Sequence, residues 1–87
     1  MNDESPLQFP CEFPIKIMGV RTPGFRELMV ELVRRHAADL DERRIQVRDS
    51  RTGRYQSVTV VINAQSRAQL DALYRELGSH PSVAMML

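Results

Sequence analysis

The chain has 87 residues, 43% of them hydrophobic and 26% charged, which suits a single globular domain with a modest core. Its net charge of +1 excludes a global basic field of the kind that gathers nucleic acid or anionic membrane. A lone cysteine, Cys11, excludes an internal disulfide, and no apolar run reaches the roughly 18 residues of a membrane span.

In chain order, Met1 to Cys11 holds Pro6 and Pro10 and few packing residues, and reads as a loose N-terminal arm that Phe9 and Phe13 pin to the body. Asp3 and Glu4 interrupt its start, so it does not read as a signal peptide, and the expected setting is cytoplasmic. The domain proper is expected over 12–87. Phe13, Ile15 and Ile17 alternate with Lys16 and Met18, the period of a half-buried strand. Pro14 cannot donate a ladder bond, so it must lie at the strand start or at a gap in the pairing.

Gly19 is expected to end that strand. Thr22-Pro23-Gly24 then opens a helix, with Thr22 as N-cap and Pro23 in the first helical position. Phe25, Leu28, Met29, Leu32, Val33 and His36 recur at steps of three and four, which carries the helix to Ala37 or Ala38. A second strand is expected at Arg44–Arg48, with Ile45 and Val47 inward and Arg44, Gln46 and Arg48 outward. Ser50-Arg51-Thr52-Gly53 supplies turn chemistry, Gly53 taking positive φ.

Tyr55 to Ala64 is the longest β-branched run and therefore the central strand, with Val58, Val60 and Ile62 on one face and Tyr55, Ser57, Thr59 and Val61 on the other. The second helix spans Ser66 to Leu77, opened by a Ser66–Gln69 capping box and closed by Gly78 at C′. Val83–Leu87 is the last strand. The order β-α-β-β-α-β with right-handed crossovers predicts an α+β, ferredoxin-like sandwich: a four-stranded antiparallel sheet in the order 4-1-3-2 with both helices on one face. The other face is left to water or a partner.

Two stretches are candidate sites. The Gly19–Phe25 junction, with Gly19, Arg21, Thr22 and Gly24, combines a helix N-terminus with arginines (Arg26 nearby) that could take a carboxylate or phosphate of a small-molecule ligand. The hairpin carries Arg43, Arg44, Arg48, Arg51 and Arg54 beside Tyr55, a face for a protein partner or, as the weaker alternative, single-stranded nucleic acid. Base stacking needs two or three exposed aromatics, and Tyr55 is alone there, with Ser57 and Thr59 on the central strand.

No catalytic or metal-binding pattern appears. His36 and His80 lack a third ligand at metal spacing, Cys11 has no partnered histidine in a motif, and Glu27 and Glu31 suit a solvated helix face better than an acid–base pair. The expectation is a non-enzymatic regulatory or interaction domain without a cofactor or metal, acting as a homodimer or with a protein partner.

The segment Phe9-Pro10-Cys11-Glu12-Phe13-Pro14-Ile15-Lys16-Ile17-Met18-Gly19 is similar to the F-P-x-x-F-x-x-K-x-M-G opening of the YbeD family of small bacterial proteins. Ser50-x-x-Gly53-x-Tyr55-x-Ser57-Val58-Thr59, Leu73-Tyr74-Arg75-Glu76-Leu77 and Val83-x-Met85-x-Leu87 resemble its later motifs. The resemblance implies a ferredoxin-like fold close to the ACT regulatory domains, no established activity, and an associational link to lipoate metabolism. Thr22-Pro23-Gly24-Phe25 also resembles the D-x-P-G-hydrophobic start of an ACT helix, but Arg21 stands where ACT domains carry an acidic residue. A role in binding an amino-acid ammonium group is therefore not carried over.

Overall fold

The computed structural model describes residues 7–87, so Met1 to Pro6 of the expected arm lie outside the described residues. The first strand, β1, runs Cys11–Val20, longer at both ends than its alternation suggested. It begins inside the stretch expected to be a loose arm, and Gly19 lies within it. Leu7, Phe9 and Phe13 pack partly buried against the core, and the Phe13 ring meets Tyr74 edge-on at 6.4 Å.

β1 pairs antiparallel along its whole length with β3 (Tyr55–Ala64), and at Ile17 and Met18 with β4 (Met85–Met86). β2 (Gln46–Asp49) adds to the far side of β3, giving the order β2-β3-β1-β4, the expected order read from the other edge. The register explains Pro14. Lys16 exchanges both backbone hydrogen bonds with Leu87 (3.1 and 2.9 Å), so the even-numbered residues of β1 turn their N–H and C=O toward the β4 side. β4 ends before it reaches Pro14. The missing donor therefore faces an edge that no described strand covers, where a proline also discourages strand addition.

Helix α1 spans Phe25–Arg34 and buries Phe25, Met29, Val30, Leu32 and Val33. Its N-cap is Gly24, not Thr22, and no side chain caps it. Gly24 holds φ 83°, a left-handed conformation that glycine adopts without steric cost, and this leaves Pro23 outside the helix. Thr22 contributes its carbonyl, which accepts from the Phe25 N–H at 3.2 Å. The helix ends earlier than its periodicity implied, and turns through His36 and Ala37, both bonded to the Val33 carbonyl, replace the expected last turn.

The second strand also differs. Asp41 accepts a hydrogen bond from the Arg43 N–H and caps a single 3₁₀ turn at Glu42–Arg44, which removes Arg44 from the sheet. β2 is exposed throughout. Val47, expected inward, does share the face of its partner Val58, but it lies at the edge and is 40% exposed.

The hairpin follows expectation: Gly53 has φ 76° and its N–H donates to the Ser50 carbonyl at 2.9 Å. Helix α2 runs Arg67–Ser79, capped by Ser66, whose hydroxyl accepts from the Gln69 N–H. The Gln69 side chain bonds the Gln65 N–H and the His36 carbonyl instead of closing the box on Ser66. Gly78 is helical rather than a C′ residue.

The core lies between the sheet and the helices. Ile15, Ile17, Val58, Val60 and Ile62 come from the sheet, and Phe25, Met29, Val33, Leu70, Leu73 and Leu77 from the helices. Each large side chain so buried contributes about 1.5–3 kcal/mol relative to exposure. No helix among the described residues is long and apolar enough to cross a membrane.

Candidate functional site

Where β1 gives way to α1, the chain borders a depression of about 540 Å³. Arg21, Thr22, Pro23, Gly24 and the first turn of α1 form one wall, and Val47, Gly53 and Gln56 of the hairpin form the other. A helix leaves its first N–H groups without intrahelical partners; in α1 the Thr22 carbonyl takes that of Phe25, and no side chain caps the others. The first-turn residues Gly24 to Glu27 line the depression, which places it at the positive end of the helix dipole.

Arg21 and Arg26 add side-chain donors. The Arg21 N–H bonds the Arg54 carbonyl at 2.9 Å, and its guanidinium lies 3.5 Å from Asp49, which fastens the loop to the hairpin. Arg26 reaches Glu42 at 3.4 Å and Glu27 at 3.8 Å. Both arginines remain partly exposed, and the pairs are long enough to rearrange around an anion.

Of the four predicted loop residues, Arg21, Thr22 and Gly24 line this depression and Gly19 does not. Gly19 is buried, and a Cβ there would collide with the Ser82 carbonyl and come within 2.6 Å of the Phe25 ring. Its lack of a side chain lets the last loop and the α1 entry close over β1. The hairpin residues Val47 and Gln56 were not singled out as site residues. Only the strand register places them opposite the loop.

The hairpin arginines do not form one cluster. Arg43 turns back on Asp41 with two contacts of 3.0 and 3.1 Å, and Arg44 binds Glu12 at 2.6 Å. Hydrogen bonds from these arginines hold the Asp41 and Glu12 carboxyls below their usual range. Arg54 sits over the Tyr55 ring at 5.9 Å. Arg48 and Arg51 have no partner among the described residues. Tyr55 is 36% exposed and lies on the helix-free face.

The helix layer has its own polar seam. His36 Nε2 lies 2.6 Å from Glu76, Arg35 donates to the same carboxylate at 2.6 Å, and Arg35 also reaches Glu31 at 3.5 Å. The His36 hydrogen bond, then Arg35, holds the Glu76 carboxyl below its usual range. These contacts join the end of α1 to α2, and none of their residues lines the depression at the β1–α1 junction, so they read as structural. Among the described residues, no group of three or more His, Cys, Asp or Glu is placed to hold a metal ion.

A β2-β3-β1-β4 antiparallel sheet with two helices defines the ferredoxin-like fold, and its structural neighbours are ACT-like. The crystal structure of the ACT domain from GTP pyrophosphokinase of Chlorobium tepidum is similar, with a TM-score of 0.66 at 16% identity, covering 87% of this chain and 94% of that one. The solution structure of a Helicobacter pylori protein gives a TM-score of 0.71 at 11% identity over 99% of this chain and 91% of that one.

The chain belongs to the family described as Protein of unknown function (DUF493), which matches residues 4–87 and is the YbeD family that the motifs resemble. A UPF0250 protein of Nitrosomonas europaea is 47% identical over 87 residues, all of both chains. Another, of Pseudomonas paraeruginosa, is 46% identical over 82 residues, 93% of this chain and 88% of that one.

Proposed function

We propose that this protein is a small regulatory domain that senses an anionic metabolite in the depression between the β1–α1 loop and the hairpin. The observation that carries the reading is the N-terminus of α1, which has no side-chain cap and borders a space of about 540 Å³ beside Arg21 and Arg26. That volume lies within the range of roughly 300–1,000 Å³ typical of small-molecule sites. The chemistry selects a carboxylate or phosphate: backbone N–H groups and guanidinium forks supply donors, and Val47 and Phe25 supply apolar contact.

The depression is bounded by two separate chain segments. A ligand seated there ties the β1–α1 loop to the hairpin, and a change in that junction is what a protein partner or a second copy of the chain would read. The fold of the ACT domain from GTP pyrophosphokinase supports a regulatory role by analogy of architecture.

Thermal unfolding against a panel of amino acids, lipoate and nucleotides tests the proposal. A ligand that binds only the folded chain raises the midpoint progressively with concentration. Arg26→Gln should weaken that response about tenfold, the worth of a charge-assisted hydrogen bond. A midpoint unmoved by every member of the panel overturns the reading.

A further inference from the structure

The helix-free face holds a second, smaller hollow of about 130 Å³, which the function proposed above does not use. At its floor lies Ser57, the buried polar side chain of the sheet, 5% exposed. Ser57 pairs across β1 with Met18 and across β2 with Arg48, so it points away from the helices. Its hydroxyl has no hydrogen-bond partner among the described residues, yet it is not sealed off, because Ser57 lines the hollow. A hydroxyl in this position is ordinarily satisfied by a protein group or an ordered water.

Two cations stand on the rim. Lys16, the only lysine in the chain, comes from β1 and Arg48 from β2. Neither has a counter-ion or hydrogen-bonded side chain among the described residues, unlike Arg34, Arg35, Arg43 and Arg44. Asp49 also borders the hollow, but its carboxylate is engaged by Arg21 at 3.5 Å and by the Gln56 amide at 3.0 Å.

We infer that this hollow binds one oxyanion, the phosphate or carboxylate group of a small ligand, with the Ser57 hydroxyl as floor donor and Lys16 and Arg48 as the flanking charges. A volume of about 130 Å³ suits a single anionic group. Met18 borders the hollow on the β4 side, and its strand partner, the exposed Met85, lies next to it on the same face of the sheet. A carboxylate carried on an apolar chain would lie along these methionines, whereas a phosphate would use the hollow alone.

The test is a titration of the uniformly ¹⁵N-labelled full chain by NMR at low ionic strength. The probes are inorganic phosphate and linear alkyl carboxylates of increasing length, with sodium chloride as the control. Saturable shifts are expected at the amides of Lys16, Arg48 and Ser57. Affinity that climbs with alkyl length assigns the site to a carboxylate on an apolar chain, and preference for phosphate assigns it to the free headgroup.

Ser57→Ala, which removes only the hydroxyl, should weaken binding about tenfold. Arg48→Gln, on an exposed edge strand, should do the same without touching the core. Arg26→Gln alters the other depression and should leave these shifts unchanged, so failure of one site is distinguishable from failure of the other. Shifts that do not saturate, that chloride reproduces, or that persist at full strength in both Ser57→Ala and Arg48→Gln overturn the inference.

Discussion

The two faces of the sheet use the same strands and differ in what lies above them. Beneath the helices, Ile15, Ile17, Val58 and Val60 are completely buried. On the other side, their immediate neighbours Lys16, Met18 and Thr59 are only partly covered, and Met85 and Leu87 are 51% and 68% exposed. The covered face has one chemical requirement, apolar volume that fills the space under α1 and α2. The open face has no such requirement, so the residues held there reflect contact with water, ligand or partner. Core positions explain why the chain folds, and open-face and loop positions are where its activity must be sought.

Adjacent residues on the two faces give the sharpest way to break this comparison. Ile17→Ala should cost about 2–5 kcal/mol in urea unfolding, because it leaves a cavity beneath the helices. Met18→Ala, its neighbour pointing the other way, should cost about 1 kcal/mol or less. Equal losses would mean that the open face is covered in solution, as in an assembly of two chains through the sheet. A concentration-dependent midpoint would then confirm it.

A smaller effect separates packing at the β1 terminus from ligand chemistry. Gly19→Ala should destabilise the fold by about 1–3 kcal/mol, since the added Cβ overpacks against the Ser82 carbonyl and the Phe25 ring. Once folded, the variant should retain the anion response of the β1–α1 depression, because Gly19 is not among the residues that line it. A stable Gly19→Ala protein that has lost the response would move Gly19 from the packing to the site.

Much of this architecture was legible in the chain. Val58, Val60 and Ile62 alternate at the strand period, and Leu70, Leu73 and Leu77 recur at the helix period. Both patterns are imposed by burial on one side, and burial is what determines the fold. The α1 cap was less legible because two neighbouring signals competed. Thr22 and Pro23 look like a helix start, but a left-handed Gly24 shifts the first turn by two residues.

Arg44 was misplaced for a similar local reason: Asp41 captures the Arg43 N–H and winds the chain into a 3₁₀ turn before the strand can begin. The site was half legible. Arg21 and Gly24 are marked by the strand-to-helix junction itself, whereas Val47 and Gln56 enter through the pairing of β2 with β3. No local pattern announces that register.

The smallest expected effect lies in the helical layer, where polar contacts replace apolar packing. Glu76 accepts from His36 and Arg35 and so joins the two helices. Its carboxyl is held below the ordinary 4.5, first by the His36 hydrogen bond and then by Arg35. A group whose folded value is depressed contributes stability that is fully present above the unfolded value and is lost as pH falls through the folded one. Glu76→Gln should therefore be less stable than the parent at pH 7, and the difference should close as the pH is lowered below 4.5. Paired urea titrations across that range measure it. A gap that stays constant with pH would show that Glu76 acts through its shape and hydrogen bonds alone, and that the covered side of the molecule draws nothing from charge.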